Sequence, residues 1–525
     1  MSRRIRKRKT DEKANAKPMQ SKLKTIEELG EISTAAGACG ETVVLAHGTF
    51  DLLHIGHLRH LRQARREGDL LIVTITADTF VGKGPGRPVF SEQMRAEMLA
   101  ALDCVDYVGV VHEATALSAI EAVKPSVYAK GSEYADPSDD VTGGIVDERR
   151  AVESHGGRLA FTDEVTFSSS SLINRHLPVF EPGLDEFLES QRQKDILGDL
   201  MELIEKIKDF RVLIVGDAII DDYKYVSAIG KSPKEHMIAT QFGNREVFAG
   251  GVFATANHVA GLCGEVEVVT TIGDDYGYEK VIINSLKPNV RLHAFRRQGL
   301  PTTRKTRYID KSYLRKLFEV YHMDDTPTRP EVEEKIDRII KDRADEFDLV
   351  IVNDFGHGLL TASMIETLDK FARFIAVNAQ SNSANLGYNL ITKYQRADYI
   401  CIDAPEARLA VSDRLSDIEN ITGEALPKRI DCPRIVVTHG KNGCVGYEAG
   451  RGLVHIPAFT KTVVDTVGAG DAFFAFSAPL AAAGGAMDQI VFVGNAAGAI
   501  KVGIVGHRSS VEKAPLVKFL TTLLK

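Results

Sequence analysis

Short apolar runs of strand length alternate with helical stretches in two separate parts of this chain, and no other feature restricts its fold more. In the first part, runs over residues 42–46 and 70–75 flank a helical stretch. In the second part, runs over residues 211–215, 349–352 and 435–438 again alternate with helical stretches. Apolar runs separated by helices are typical of buried parallel strands in β-α-β units. The chain is therefore predicted to contain two α/β domains.

Length and composition narrow the class of protein. The 525 residues allow roughly two to four domains. The net charge of −7 argues against bulk attraction to polyanions, so no nucleic-acid partner is expected. The six cysteines lack the spacing of a zinc or redox motif, which indicates a reducing compartment. The apolar stretch over residues 472–487 follows a glycine-rich turn and is interpreted as a buried helix, so we expect a cytoplasmic protein without membrane contact.

Polar and proline-containing segments divide the chain. The first 40 residues are polar, and a basic run over residues 3–9 predicts a disordered tail, with a nucleic-acid or anionic-surface contact as the alternative. Pro178 and Pro182 interrupt the pattern after the first domain, and residues 184–207 carry an apolar stripe at helical spacing. The predicted segments are a basic tail over 1–40, a first domain over 41–178, a helical linker over 179–209 and a second domain over 210–525.

Two histidines three residues apart follow the first predicted strand. His54 and His57 lie in a turn that leads into a helix, and Gly48 and Gly56 allow a phosphate to approach the backbone. At a helix start such residues share one face, so both imidazoles can donate to the phosphates of a nucleoside triphosphate. They would stabilise the charge that develops when a nucleophile attacks the α-phosphorus and pyrophosphate leaves. The alternative is a helix that carries incidental histidines.

This segment resembles the cytidylyltransferase-like nucleotidyltransferase superfamily, whose signature is H-x-G-H after a G-x-F-D turn. The resemblance covers residues 42–177 and includes a K-G-x-D-Y-like turn at residues 130–134 and an I-S-T-T-like element at residues 167–170. It implies a Rossmann-like domain in which His54 and His57 are catalytic. The implied nucleotide-binding residues are Gly48, Thr49, Phe50, Asp51, Gly56, Lys83, Arg87, Lys130, Ser168, Ser169 and Ser170.

A second glycine-rich turn lies near the C-terminus. The string D-T-V-G-A-G-D over residues 465–471 leads into a helix, so the amides of residues 468–470 would form a nest for an anion at the helix N-terminus. Asp471 at the mouth of that nest would repel a phosphate. It is well placed to accept the proton of a hydroxyl that attacks the γ-phosphate. The alternative is an aspartate that caps the helix.

The same string is the signature of the ribokinase family, which residues 210–525 resemble. The resemblance implies a ribokinase-like α/β domain with a small β lid, ATP and Mg²⁺ as cofactors, and Asp471 as the general base. The implied kinase nucleotide-binding residues are Thr438, Gly440, Gly443, Gly468, Ala469, Gly470 and Asn495. The implied sugar-binding residues are Asp217, Asp221, Gly250 and Gly251, and the implied metal-binding residues are Asp403 and Glu406. The lid of such kinases often pairs two subunits, so a homodimer is expected.

Four places depart from the ribokinase pattern. Ala254 replaces the asparagine of G-G-x-x-N, Asp403 replaces the asparagine of N-x-x-E, and His357 stands where heptose kinases have lysine. The usual D-P-K after the middle strand reads Val-Asn-Ala-Gln over residues 377–380. Asp471 and the nest are retained, so these departures bear on the identity of the sugar more than on phosphoryl transfer.

A kinase and a nucleotidyltransferase of these types in one chain resemble the bifunctional heptose-phosphate kinase/heptose-1-phosphate adenylyltransferase family of bacterial lipopolysaccharide synthesis, here with the domains in reversed order. The resemblance implies that the kinase phosphorylates the anomeric hydroxyl of a sugar phosphate and that the transferase converts the sugar 1-phosphate into an ADP-sugar. Two alternatives stay open. One is a CTP-using polyol-phosphate cytidylyltransferase fused to a kinase, and the other is a second domain that binds sugar or nucleotide without turnover.

Overall fold

The computed structural model of the protein describes residues 19–134, 144–162, 169–176, 180–460 and 462–525. The chain forms two compact units, and the boundary between them lies near residue 180. Both units are α/β, which confirms the fold class predicted from the alternation of apolar runs and helical stretches.

The first unit is a single parallel sheet with helices packed on it. Its elements are α1 (Met19–Lys22), α2 (Ile26–Ala38), β1 (Val43–Gly48), α3 (Ile55–Arg66), β2 (Leu70–Thr76), α4 (Glu92–Ala100), β3 (Tyr107–Val111), α5 (Leu117–Val123), β4 (Val127–Gly131), α6 (Gly144–Ser154), β5 (Arg158–Thr162) and α7 (Ser169–His176). The strand order is β3-β2-β1-β4-β5. The order reverses between β1 and β4, and open α/β sheets bind their ligands in the crevice beyond the carboxyl ends of such strands.

The segment before β1 contains the helices α1 and α2, so the predicted disordered tail over 1–40 is wrong for residues 19–38. A capping box between Thr25 and Glu28 starts α2. Leu29 on that helix is fully buried, and Ser33 donates a 2.6 Å hydrogen bond to the carbonyl of Val123. The three buried positions of α2 recur at helical spacing within a polar sequence, and composition alone hides such a narrow stripe. The basic run lies in residues 1–18, outside the described residues.

Deleting residues 1–40 is expected to destabilise the first unit. The deletion uncovers the site of Leu29 and removes the ammonium of Lys22, which donates to the carbonyls of Leu102 and Val105 at 2.9 and 2.7 Å. We expect a loss of at least about 2 kcal/mol of unfolding free energy. Thermal melting of the deletion measures it, with a deletion of residues 1–18 as the matched control. Equal melting temperatures for the two deletions would contradict the packing role of α2.

The second unit follows from residue 180. Its elements are α8 (Pro182–Gln193), α9 (Ile196–Lys206), β6 (Arg211–Gly216), β7 (Ala218–Lys231), β8 (Ile238–Gly251), α10 (Val252–Val259), β9 (Glu265–Gly273), α11 (Glu279–Ser285), β10 (Val290–Arg297), β11 (Arg304–Asp310), β12 (Lys316–His322), α12 (Pro330–Arg343), β13 (Leu349–Asp354), α13 (Ala362–Phe371), β14 (Ile375–Ala379), β15 (Tyr399–Asp403), α14 (Ala404–Val411), α15 (Ile418–Asn420), β16 (Arg434–Thr438), β17 (Cys444–Glu448), β18 (Gly452–Ile456), α16 (Ala469–Ala482), α17 (Met487–Lys501) and α18 (Lys513–Leu524).

Two sheets organise this unit. The larger sheet has nine strands in the order β10-β9-β6-β13-β14-β15-β16-β17-β18, and the smaller has four in the order β12-β11-β7-β8. The smaller sheet is the β lid that the resemblance implies. In the larger sheet β6, β13, β14 and β15 run parallel, so their carboxyl ends meet at one edge. Asp217, Asp354, Gln380 and Asp403 lie at or directly after those ends.

The segment predicted as a linker over 179–209 is helical, but α8 and α9 belong to the core of the second unit. Leu188 and Leu200 are fully buried, and both helices contribute to the same apolar cluster as α16 and α17. The apolar stripe that predicted these helices is the face that packs on this cluster, so the domain boundary lies near residue 180 rather than 209. Residues 177–179 lie outside the described residues.

The apolar stretch over 472–487 is a buried helix, as predicted. Most of it forms α16, and Phe474 and Phe476 are fully buried in the core. Within the described residues, none of the helices combines the length and the apolar character that a membrane crossing requires.

Candidate functional site

The turn between β1 and α3 brings the two predicted catalytic histidines of the first unit together. His54 is the N-cap of α3, and its Nδ1 accepts a 3.1 Å hydrogen bond from the amide of Gly56. Its imidazole stacks on that of His57 with ring centroids 4.0 Å apart. The Nε2 of His54 is buried without a hydrogen-bond partner in the described part of the chain. A buried, unsatisfied imidazole nitrogen at a helix N-terminus is suited to a phosphate oxygen.

Burial favours the neutral form of both imidazoles. Burial, together with the nearby His54, His60 and Lys83, lowers the pKa of His57 to about 3. Burial also lowers the pKa of His54. Neutral imidazoles each offer one N–H donor, and an incoming phosphate would favour the protonated form. Each imidazole can therefore offer a neutral N–H donor to a nucleotide phosphate.

Ser169 and Ser170 of the predicted I-S-T-T-like element lie in the first turn of α7. The hydroxyl of Ser169 lies 3.5 Å from Nε2 of His57 and 3.3 Å from the carbonyl of Leu52. Ser170 is buried in the first turn of the same helix. Ser168 lies outside the described residues. The structure thus brings the serine element and the H-x-G-H turn to one place, although 112 residues separate Ser169 from His57.

Asp51 and Arg87 contact each other and fix the loop between β2 and α4. The carboxylate of Asp51 accepts hydrogen bonds from the amides of Val89 and Phe90 at 2.8 and 3.1 Å. Its second oxygen lies 3.5 Å from the guanidinium of Arg87, and both side chains are only 2% exposed. Arg87 also donates to the side chain of Asn174 at 2.6 Å. These contacts position the loop around the site before any nucleotide binds.

Lys130 is engaged by an acidic neighbour. It is the second-last residue of β4 and forms a 2.8 Å ion pair with Glu148.

In the G-x-F-D turn, Phe50 adopts a positive φ of 49°, and a Cβ on Gly48 would lie 3.1 Å from the ring of Phe50. The ring of Phe50 also meets His57 edge to face at 5.1 Å. The G-x-F-D turn therefore supports the imidazole directly.

In the second unit, Asp471 lies in the first turn of α16, after the predicted anion nest. Gly468 caps the helix with φ 77°, and Ala469 donates its amide to the carbonyl of Thr466, so the amides of Gly468 and Gly470 are the better placed donors. Asp471 is buried, and its Oδ1 accepts a 3.0 Å hydrogen bond from the side chain of Gln380. Burial raises the pKa of Asp471, which makes its carboxylate a better proton acceptor.

A fully buried lysine contacts the backbone next to the nest, and the sequence analysis did not identify it. Lys501 ends α17, and its ammonium donates to the carbonyls of Val467 and Gly506 at 2.8 and 2.6 Å. Asp465, the first residue of the signature, accepts from the hydroxyl of Tyr223 at 2.8 Å. A single lysine at the end of an apolar helix could have indicated this contact. Lysine is almost never fully buried without partners, so such a lysine is expected to have them.

Asp217, the first of the two predicted sugar-binding carboxylates, already accepts hydrogen bonds from the protein backbone. Asp217 accepts hydrogen bonds from the amides of Phe355, His357 and Leu359 at 2.9, 3.2 and 3.3 Å, so it shapes the loop after β13. Burial raises the pKa of this carboxyl group. These three contacts fix the loop after β13, whereas a role of Asp217 as a sugar ligand stays a prediction.

Asp221 lies on the lid strand β7, and two side chains from other parts of the second unit contact its carboxylate. Arg307 on β11 contacts its Oδ1, and Nε2 of His507 lies 3.2 Å from its Oδ2. Although burial opposes the effect, these partners hold the pKa of Asp221 below its usual range. Gly250 has no room for a side chain, because a Cβ there would lie 2.0 Å from the Asp221 carboxylate. Gly251 follows with φ 56° at the start of α10.

Asp403 and Glu406, predicted to bind metal, form the capping box that starts α14. Each carboxylate accepts the amide of the other residue at 2.9 Å. Burial and the neighbouring Asp403 raise the pKa of Glu406 to about 8. Carboxylate oxygens are the ligands that Mg²⁺ prefers, and a cation would relieve this repulsion, so the pair fits a magnesium site. The described residues contain no group of three or more potential metal ligands, so waters or phosphates would complete it.

The predicted nucleotide-side residues surround the turn after β16. Gly440 and Gly443 have φ values of 53° and 85°, and a Cβ on Gly443 would lie 2.0 Å from the carbonyl of Ile456. Thr438 ends β16, and Asn495 on α17 donates to the carbonyl of Pro457 at 2.8 Å. The positive φ values of Gly440 and Gly443 shape this turn.

Two departures from the ribokinase pattern have structural consequences. Gln380, in the segment that replaces D-P-K, is the hydrogen-bond donor to Asp471. His357 is buried, with Nδ1 at 2.9 Å from Asp325 and Nε2 without a partner among the described residues. Ala254 is buried in α10. The replacements thus change the immediate surroundings of the proposed base and of the loop after β13.

Two protein-family models match the chain. The model described as pfkB family carbohydrate kinase matches residues 209–514, and the model described as cytidylyltransferase-like matches residues 45–175. Both matches agree with the two α/β units of the structure.

Curated relatives match a limited part of the chain. The bifunctional protein HldE of Syntrophotalea carbinolica is 41% identical over 166 residues, which are 31% of this chain and 32% of that protein. The bifunctional protein HldE of Methylobacillus flagellatus is 45% identical over 140 residues, which are 26% of this chain and 27% of that protein. The match lies in the N-terminal domain and spans about a third of the length of these relatives.

Solved structures resemble the chain at low identity. Ribokinase from Thermotoga maritima has 22% identity and a TM-score of 0.47, and the likeness covers 59% of this chain and 99% of that chain. Phosphofructokinase-2 from Escherichia coli, in complex with substrates and products, has 14% identity and a TM-score of 0.49, with 60% and 100% covered.

Proposed function

The chain belongs to the pfkB family of carbohydrate kinases, and from that premise we propose that it is a bifunctional sugar-activating enzyme. It is a transferase that carries a sugar-kinase domain and a cytidylyltransferase-like domain. The second unit phosphorylates the anomeric hydroxyl of a sugar phosphate with ATP, and the first unit joins a nucleotide to the sugar 1-phosphate and releases pyrophosphate. The observation that carries the proposal is the buried Asp471 carboxylate beside the anion nest at the start of α16.

In the kinase reaction, Asp471 accepts the proton of the sugar hydroxyl as the bond to the γ-phosphorus forms. The bond from the γ-phosphorus to the β-phosphate oxygen breaks, and ADP leaves. The amides of Gly468 and Gly470 stabilise the charge on the transferred group. Gln380 holds the Asp471 carboxylate in place at 3.0 Å. A bound Mg²⁺ would neutralise phosphate charge, and Asp403 and Glu406 are the residues that would hold it.

In the transferase reaction, a phosphate oxygen of the sugar 1-phosphate attacks the α-phosphorus of a nucleoside triphosphate, and pyrophosphate leaves. The N–H groups of His54 and His57 donate to the phosphates as negative charge moves onto the leaving group. Ser169, 3.5 Å from His57, supplies a further donor. The absence of a bulky side chain at Gly56 lets the phosphates approach the start of α3.

The substrate of the proposal is a heptose-like sugar phosphate, and the product is an ADP-heptose-like sugar nucleotide. Two things support it, the resemblance described from the sequence and the similarity of the first unit to proteins named bifunctional protein HldE. The alternative product is a CDP-polyol, since residues outside the phosphate contacts decide the base.

A panel of sugar 1-phosphates and polyol phosphates, each incubated with ATP or CTP and followed by pyrophosphate release, tests this substrate assignment. The proposal predicts the highest kcat/KM for ATP with a heptose 1-phosphate. A clear preference for CTP with a polyol phosphate would replace it with the cytidylyltransferase alternative. His57→Ala in the same assay is the blank for contaminating activity.

We also propose a homodimer that pairs through the lid sheet. Several large apolar side chains on the two edge strands of this sheet, β8 and β12, are exposed to solvent, and exposed apolar surface of this kind is suited to an interface. Examples are Ile238 at 67% exposed, Phe242 at 60% and Phe318 at 52%. Light scattering should give twice the chain mass for the wild type and a monomer mass for Ile238→Lys with Phe318→Lys. A monomeric wild type at micromolar concentration contradicts the dimer.

A further inference from the structure

His507 lies at the junction of the sugar side and the phosphate side of the kinase site, although neither signature contains it. Its Nε2 is 3.2 Å from the carboxylate of Asp221. A Cβ added to Gly468, the cap of the anion nest, would lie 2.7 Å from Cε1 of His507 and 3.3 Å from its Nδ1. A Cβ added to Gly250 would lie 3.3 Å from Nε2. The imidazole is therefore packed between two glycines of two different subsites.

The acidic groups around His507 call for a hydrogen-bond donor at its position. Asp221 and Asp471 are both carboxylates, and the γ-phosphoryl group of ATP would bring further negative charge to the nest. Among the described residues, Arg307 contacts the other oxygen of Asp221 and Lys501 donates to backbone carbonyls. His507 is the side chain that adjoins Asp221 with one ring nitrogen and turns its other edge toward Gly468.

We infer that His507 is a catalytic residue of the kinase, which holds Asp221 through Nε2–H and donates Nδ1–H to an oxygen of the transferring phosphoryl group. The inference rests on the proposed kinase function. The proton of the sugar hydroxyl goes to Asp471, and the new bond forms between the sugar oxygen and the γ-phosphorus. The bond to the β-phosphate oxygen breaks, and His507 transfers no proton in this step. Its role is to stabilise charge that grows as ADP leaves.

Kinetics of His507→Ala and His507→Gln test this role. We expect kcat for sugar phosphorylation to fall by about 100-fold in His507→Ala, the cost of losing one preorganised donor, with a smaller change in KM for ATP. Imidazole added to the buffer should restore part of kcat in His507→Ala. Glutamine can keep one hydrogen bond but not both, so His507→Gln should also lose at least about tenfold in kcat. Transferase activity and melting temperature report on folding.

Arg508→Gln is the matched control, because Arg508 is an exposed neighbour that pairs with Glu246 outside the site. Its kcat should stay within twofold of the wild type. If the wild type phosphorylates a sugar and folded His507→Ala or His507→Gln retains kcat within threefold, the inference is overturned while the kinase function stands. If the wild type phosphorylates none of the sugar phosphates supplied, the proposed function fails and this inference fails with it.

Discussion

Asp471→Asn is expected to lower the kcat of sugar phosphorylation by about two to four orders of magnitude, the range for loss of a general base. A sugar hydroxyl is a poor nucleophile until its proton can be accepted, and asparagine has the size of aspartate but cannot take the proton. Burial raises the pKa of Asp471, so the wild-type carboxylate is poised for this task. The affinity for ATP should change little or increase, since a negative charge near the γ-phosphate is removed.

Steady-state kinetics with the cognate sugar phosphate measure this effect. Asp488→Asn, which changes a carboxylate in the first turn of the neighbouring helix α17, is the matched control and should keep its kcat. Pyrophosphate release by the first unit should be unaffected in both variants. An Asp471→Asn enzyme within a few-fold of the wild type would mean that the second unit does not use this carboxylate as a base.

His57→Ala is expected to lower the rate of pyrophosphate release by about 100- to 1,000-fold, as the loss of a preorganised donor to a developing anion does. The variant also removes the ring that stacks on His54 at 4.0 Å, so His54 loses its support as well. Sugar phosphorylation should stay nearly unchanged, because the two signatures lie in separate compact units.

His155→Ala is the control for this variant, because His155 lies between α6 and β5 and pairs with the exposed Glu121. Both variants need the wild-type melting temperature before their rates are compared. Loss of kinase activity in a folded His57→Ala protein would contradict the proposal that the two active sites work independently.

Most of the correct predictions came from short motifs whose residues are adjacent in the sequence. The H-x-G-H turn and the D-T-V-G-A-G-D string each lie within a few residues of the backbone turn they create. Strand, turn and helix could therefore be placed together, and β1, α3 and α16 have the positions expected. The same holds for the parallel sheet of the first unit and the parallel strands of the nine-stranded sheet, because a fully apolar run between helices is hard to bury in any other way.

What the sequence could not predict depends on contacts between distant residues. Gln380 reaches Asp471 from 91 residues away, and His507 reaches Asp221 from the far end of the unit. Neither residue type is unusual where it stands in the sequence. Asp403 and Glu406 show the opposite case, because their spacing of three is also that of a capping box, and the structure uses it as one.

The assignment of α2, α8 and α9 failed for a related reason. Each helix is polar over most of its surface and buries a narrow stripe, so composition predicted a tail and a linker. Only the packing partner shows whether such a stripe is buried. Leu29 and Leu188 are both fully buried, which makes these helices parts of the two units.

Phosphorus NMR of the full chain with ATP, Mg²⁺ and a panel of heptose and hexose phosphates tests the proposal that this chain phosphorylates the anomeric position of a sugar phosphate. We expect ADP together with a new sugar 1-phosphate resonance for one sugar of the panel, and neither signal with Asp471→Asn. Unchanged ATP with every sugar, from a folded protein that binds ATP, would contradict it and leave the second unit as a binding module.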